Sequence, residues 1–130
     1  MRPSGIILHC SDSPQGRGDR AETIHKWHLQ NGWDGIGYHY VILEDGTIEA
    51  GRPEYWSGSH AKGYNDHIGI CLIGKTHFTE QQMMAQLGLV NELCFKYEFV
   101  LGDIMGHYDV SSKTCPNYDV GKFKDDLAIS

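Results

Sequence analysis

Tyr38-His39-Tyr40-Val41-Ile42-Leu43-Glu44-Asp45-Gly46-Thr47-Ile48-Glu49-Ala50 decides the class of the fold. The run from Tyr38 to Leu43 is rich in β-branched and aromatic residues, Asp45-Gly46 is a strong two-residue hairpin signal, and Thr47 to Ala50 is the return strand. Working outward, Ile6 to Cys10 reads as a strand ended by the loop chemistry of Ser11-Asp12-Ser13-Pro14. Ile68 to Ile73 is apolar enough for the centre of a sheet. Helical patterns alternate with these strands. Asp19 followed by Glu22 predicts a capping-box variant opening a helix of ten or twelve residues through Ile24 and Trp27, closed by Asn31-Gly32. Thr79 with Gln82 is a second capping box, after which Met83, Leu87, Val90, Cys94 and Tyr97 recur at helical spacing as one face packed on the sheet. Val100 to Met105 reads as a last short strand, and Asp119 as the cap of a terminal helix that buries Phe123 and Leu127. The interleaving predicts an α/β fold, a central mixed β-sheet flanked by helices.

The chain has 130 residues, about one domain's worth, and no repeat or Pro/Ser-rich linker divides it. Its 11 Lys+Arg against 17 Asp+Glu leave a net charge of −6, which argues against a nucleic-acid partner. No apolar stretch approaches the 18 or so residues of a membrane span. A secretory signal needs an apolar core of about 7–15 residues, and the run that begins at Ile6 meets His9 after three, so synthesis in the cytoplasm without a signal peptide is expected. Four cysteines do not make a disulfide scaffold, so reduced thiols or metal ligation are favoured. Gly51 to Asn65 reads as a long irregular loop of functional length.

Eight histidines are the compositional anomaly. His9, His107 and Cys115 each fall at the edge of an element, and three protein ligands are the number a catalytic zinc uses when its fourth position is open. Read from spacing alone, ordinary core or surface side chains are the commoner case for these three residues, since eight histidines and four cysteines offer many such triplets. Alternation along the first strand puts Cys10 opposite His9, as a core thiol. His25 and His28 share a helix face at i, i+3 and read as polar aromatics of a half-exposed surface; His39, alternating with Tyr38 and Tyr40, reads as a hydrogen-bonded core residue. Gly16 to Ala21 matches a relaxed dinucleotide fingerprint but does not follow its strand directly, Gly58 and Gly63 lack the phosphate-loop lysine, and no Gly-x-Ser-x-Gly elbow occurs. Carboxylates such as Asp103 and Asp109 read as a solvated face.

In order along the chain, Ile7-Leu8-His9-Cys10-Ser11, Gly37-Tyr38-His39-Tyr40, Asp45 to Arg52, Gly58 to Asn65, Ile68 to Leu72, and Gly106-His107 with Lys113-Thr114-Cys115-Pro116 form six separated blocks. Together they resemble the zinc-dependent N-acetylmuramoyl-L-alanine amidases of type 2, which include phage endolysins and peptidoglycan recognition proteins. The resemblance implies one catalytic amidase domain over residues 1–130, with one zinc ion held by His9, His107 and Cys115. It implies Tyr38 and Lys113 as the catalytic pair and His60 as a groove residue near the substrate; Tyr64 and Trp56 are candidates for the groove wall. The implied reaction is hydrolysis of the amide between the lactyl group of N-acetylmuramic acid and the L-alanine of the stem peptide, with peptidoglycan as partner. A monomer acting on the bacterial cell wall after release by a membrane-permeabilising partner is expected, and Asp109 is expected to orient a ligand histidine. The alternative reading is a non-catalytic peptidoglycan-binding or regulatory module on the same fold, with a regulatory protein partner; members of that kind typically lack the metal cysteine, which Cys115 supplies here.

Overall fold

Each apolar run of the sequence becomes a strand in the computed structural model, which describes residues 2–129. In chain order the elements are β1 (Ile6–Cys10), α1 (Ala21–Gln30), β2 (Tyr40–Ile42), β3 (Ile48–Ala50), β4 (Ile68–Leu72), α2 (Glu80–Tyr97), β5 (Ile104–Gly106) and α3 (Val120–Ala128). The strands form one mixed sheet in the order β3-β2-β4-β1-β5. β2, β4, β1 and β5 pair in parallel, and only the hairpin partner β3 is antiparallel. All five residues of the central strand β4 are buried, because helices cover both faces and a parallel strand so enclosed must be apolar on both sides.

Alternation along the strands divides the core in two. Ile6, Leu8, Ile42, Ile68, Ile70, Leu72 and Ile104 pack against Leu89, Val90 and Leu93 of α2 and Phe123 and Leu127 of α3. Val41, Cys71 and Ile73 pack on the opposite face against Ile24 and Trp27 of α1. His9 stands opposite Cys71 in the parallel register, so it emerges on the α1 side near the carboxyl end of its strand. Open α/β sheets bind their ligands beyond the carboxyl ends of the parallel strands. Among the described residues, no helix is long and apolar enough to cross a membrane.

Three local readings are corrected by long-range contacts. The cap of α1 is Arg20 rather than Asp19: Arg20 N–H donates to Thr23 Oγ1 (3.0 Å), while Glu49 of β3 accepts from Ala21 N–H (2.9 Å) and pairs with the Arg20 guanidinium (2.6 Å). Asp19 is instead held by the Arg17 guanidinium at 2.9 Å. The innermost face of α2 is Gln82, Gln86, Leu89, Val90 and Leu93, with Met83, Leu87, Cys94 and Tyr97 only partly buried beside it. Gln82 is buried because its amide donates to Ile42 O (3.2 Å) and Ile73 O (2.8 Å), carbonyls at the ends of β2 and β4, while its Oε1 accepts from Thr79 N–H (2.9 Å). Val100 to Met105 is a short 3-10 turn (Leu101–Asp103) before a shorter strand, since the Asp103 carboxylate accepts from Val100 N–H and closes the chain locally. α3 begins as expected, with Asp119 accepting from Lys122 N–H at 3.1 Å.

Candidate metal and catalytic site

His9 is 1% exposed, the least accessible member of the site. His107 follows β5 directly, and Cys115 arrives from the loop before α3, which is fixed by Tyr108 N–H donating to Cys115 O at 2.7 Å. Their ligand atoms all lie within 4.8 Å of one another. The His9 and His107 ring centroids are 4.6 Å apart, and Cys115 Sγ lies 3.9 Å from His9 Nδ1. A tetrahedral zinc, with bonds of about 2.3 Å to sulfur and about 2.0 Å to nitrogen, holds such a pair roughly 3.5 Å apart, so these residues fit a metal with only small adjustment.

The electrostatics favour ligation by neutral imidazoles. Burial, reinforced by His60, His107 and Lys113, holds the His9 imidazole well below its ordinary range, and burial followed by the charge of Lys113 lowers His107. Cys115 is pushed up, first by the hydrogen bond with the Cys10 thiol beside it and then by burial, while the Cys10 N–H donates to its Sγ at 3.2 Å. Cys10 is buried and lies outside the ligand cluster, but it reaches the cavity and its backbone N–H and C=O both contact the ligand cysteine's Sγ.

The Tyr38 ring lies tilted against that of His9, centroids 4.9 Å apart, and burial raises its hydroxyl well above its usual range, keeping it a neutral O–H donor. Strict alternation would have placed Tyr38 with Tyr40. The backbone bends at His39 before β2 begins, so Tyr38 joins the site while Tyr40 packs in the α2 core. His39 is fully buried, accepting from Gly69 N–H (3.0 Å) and bonding Trp56 O (2.7 Å).

A cavity of about 530 Å³ runs past His9's neighbours, lined by Cys10, Ser11, Tyr38, His60, His107, Lys113 and Cys115. A second hollow of about 400 Å³ continues from it past Lys62 and Asn65, sharing Trp33, Ser59, His60, His107 and Lys113, so the two form one groove across the site. His60 lines both halves, but its Nδ1 bonds His9 Nε2 and its Nε2 bonds His67 O, both at 2.8 Å.

Tyr64 lies against the His67 ring (5.4 Å) beside the groove, and Trp56 lines a separate depression with His25, Arg52 and Pro53. The loop carrying Trp56 is drawn aside because Arg52 donates to Ile36 O (2.9 Å) and Ser57 O (2.8 Å), and because Glu54 accepts from Lys96 (2.8 Å), Tyr40 and Tyr97. Trp33, which the sequence reading missed, forms the wall instead, tilted against His28 with ring centroids 4.5 Å apart. Only the position of Trp33 just after the α1 stop signal marked it as a surface aromatic in a loop. His25 and His28 are not ligands. They accept from Ile36 N–H and Gly37 N–H, both at 3.0 Å, and so hold the segment leading to Tyr38. Asp109 does not orient a ligand histidine: its carboxylate accepts from Gly106 N–H (2.9 Å), closing the turn that presents His107.

The sequence profile described as N-acetylmuramoyl-L-alanine amidase matches residues 1–118. The chain belongs to this amidase family. Among curated relatives, the endolysin of Enterobacteria phage T3 is 39% identical over 137 residues, covering 96% of this chain and 89% of that protein. Among solved structures, the endolysin amidase LysCS from Clostridium intestinale superposes with a TM-score of 0.89 at 36% identity, over 99% of this chain and 86% of that one. A Drosophila peptidoglycan recognition protein LB, solved with tracheal cytotoxin, gives 0.78 at 29% identity over 89% of this chain and 76% of that one. The amidase thus carries a candidate His-His-Cys metal centre, with His107 and Cys115 lining its groove and His9 buried against them.

Proposed function

We propose that residues 1–130 act as a single catalytic domain, a zinc-dependent amidase that hydrolyses the bond between N-acetylmuramic acid and the L-alanine of the stem peptide. The convergence of His9, His107 and Cys115, the last two lining an open groove and the first buried against them, carries this reading. Zinc bound there supplies Lewis-acid polarisation and a water made acidic enough to act near neutral pH. The reaction adds one water across the amide: the C–N bond breaks, the lactyl carbonyl becomes a carboxylate, and the alanine nitrogen takes both protons of the water and leaves as an ammonium.

The protein's own residues stabilise the charge that develops on the carbonyl oxygen. Tyr38 brings a neutral hydroxyl and Lys113 a cation to the groove, and one such donor is typically worth about 10²–10³ in rate. His60 offers the substrate its carbon edge and Trp33 walls the groove, while Tyr64 beside it and Trp56 in its separate depression serve peptide or sugar beyond the reacting bond. The endolysin relatives support a role in lysis of the bacterial wall, and the proposed actor is a monomer that reaches the wall after a membrane-permeabilising partner has opened the way. The deciding experiment follows newly exposed L-alanine amino groups in purified peptidoglycan with the protein as prepared, after chelation, and after zinc is restored. Activity lost on chelation and regained with zinc is expected; binding to peptidoglycan without release would leave a recognition module.

A further inference from the structure

We propose that His60 is a positioning residue whose imidazole fixes the tautomer of His9, leaving His9 Nδ1 bare and aimed at the metal position. This rests on the reading of His9 as a metal ligand. The argument starts from a backbone carbonyl, which can only accept. His60 Nε2 lies 2.8 Å from His67 O, so that nitrogen carries the hydrogen. A neutral imidazole has one N–H, so His60 Nδ1 is a bare acceptor. It lies 2.8 Å from His9 Nε2, which must therefore be the protonated nitrogen of His9. Nδ1 of His9 is left without a hydrogen, and it is this atom that stands 3.9 Å from Cys115 Sγ.

The ring of His60 is held in the orientation that the relay needs. It lies between Gly58 and Gly69: a Cβ at Gly69 would come within 2.7 Å of His60 Cγ, and one at Gly58 would overlap Cδ2. Its backbone N–H is fixed by Asn65 Oδ1 at 2.9 Å. Ligand histidines almost always donate their second N–H to an oriented acceptor, and Asp109, two residues after the other ligand histidine, closes its own turn instead. Here the acceptor is a second imidazole, itself oriented by a carbonyl. With both nitrogens occupied inside the protein, His60 has no polar atom to offer a substrate.

Two variants separate this role from simple packing. In His60→Asn, the side-chain oxygen replaces Nδ1 as acceptor; in His60→Gln, the terminal amide can replace Nε2 as the donor to His67 O, leaving no acceptor at the Nδ1 position. Zinc affinity is read by competition with a chromophoric chelator, alongside thermal unfolding of each metal-free protein. His60→Gln and His60→Ala are expected to weaken zinc binding by about 10–100-fold, while His60→Asn stays within a few-fold of the parent. Equal losses in the Asn and Gln variants would overturn the proposal. Imidazole ¹⁵N shifts of the unsubstituted, metal-free protein give an answer that needs no variant: hydrogens on Nε2 of both His9 and His60 are expected, and a hydrogen on His9 Nδ1 refutes the relay. Failure of the parent to bind zinc at all would instead refute the metal reading, with the tautomers still legible in the metal-free spectrum.

Discussion

Gly69→Ala tests the coupling between the sheet and the site with one methyl group. Gly69 lies in β4, and its Cβ would meet His60 Cγ at 2.7 Å and Cδ2 and Nδ1 at 2.8 Å, where ordinary contact begins near 3.4 Å. The ring must therefore retreat by roughly 0.6 Å or more, and Gly58 leaves no slack on its other side. A shift of that size carries at least one of the two 2.8 Å ring bonds to the edge of hydrogen-bonding distance. Overpacking of about 1–3 kcal/mol and the weakening of a buried hydrogen bond, about 1 kcal/mol, add to a loss of roughly 2–4 kcal/mol. Urea denaturation of the metal-free protein measures this loss, and chelator competition measures the accompanying fall in zinc affinity. Gly88→Ala is the control. Gly88 lies inside α2 with nothing within 4 Å of its would-be Cβ, so that variant is expected to gain about 0.4–1 kcal/mol with zinc affinity unchanged. A Gly69→Ala protein with parental stability and parental zinc affinity would refute the packing argument at its root.

Tyr38→Phe keeps the ring against His9 and removes only the hydroxyl; turnover on peptidoglycan is expected to drop by about 10²–10³ while bound zinc, measured by elemental analysis, is retained. Lys113→Ala is expected to behave likewise, since it removes a groove cation and no metal ligand. Glu54 controls an acid transition away from the site: burial raises its pKa, but the hydrogen bonds from Lys96, Tyr40 and Tyr97 outweigh it and bring the net value below 4.5. A carboxylate depressed in the folded state stabilises above its unfolded pKa and loses that contribution as pH falls through the folded value. Glu54→Gln should thus lower stability at pH 7 and flatten its decline below about pH 4.5, read from denaturation midpoints across pH; an unchanged acid limb would count against a stabilising role for these bonds to Glu54. Gln82→Leu preserves bulk but strips partners from Ile42 O, Ile73 O and Thr79 N–H, with an expected cost of about 3–6 kcal/mol in thermal or urea unfolding.

Elements were legible wherever the signal was local. β1 and the Asp45-Gly46 hairpin come from propensity and turn chemistry, and α2 starts where Thr79 and Gln82 complete a capping box of residues three apart. Signals that needed a distant partner were misread. Asp19 is as good a cap by sequence as Arg20 is poor, and only the arrival of Glu49 from β3 reverses the choice. Gln82 reads as a capping partner alone, and Gln86 falls outside the apolar spacing of Met83, Leu87 and Val90, until the strand carbonyls and Tyr118 that they meet are in place. Asp109 was assigned to a ligand histidine by proximity along the chain, whereas its carboxylate closes its own turn.

The residue types of the site follow from sequence: His9, His107 and Cys115 are the donors a catalytic metal takes, and six ordered blocks identify the family. Their convergence does not, since His9 and Cys115 are 106 positions apart and meet only because β1 lies beside β5 and both end on the same edge of the sheet. Tertiary structure alone also decides which nitrogen of His9 is free. A hydrogen-bond chain passing from the His67 carbonyl through His60 to His9 depends on directions in space, and a linear pattern of residues carries types and spacings but no directions.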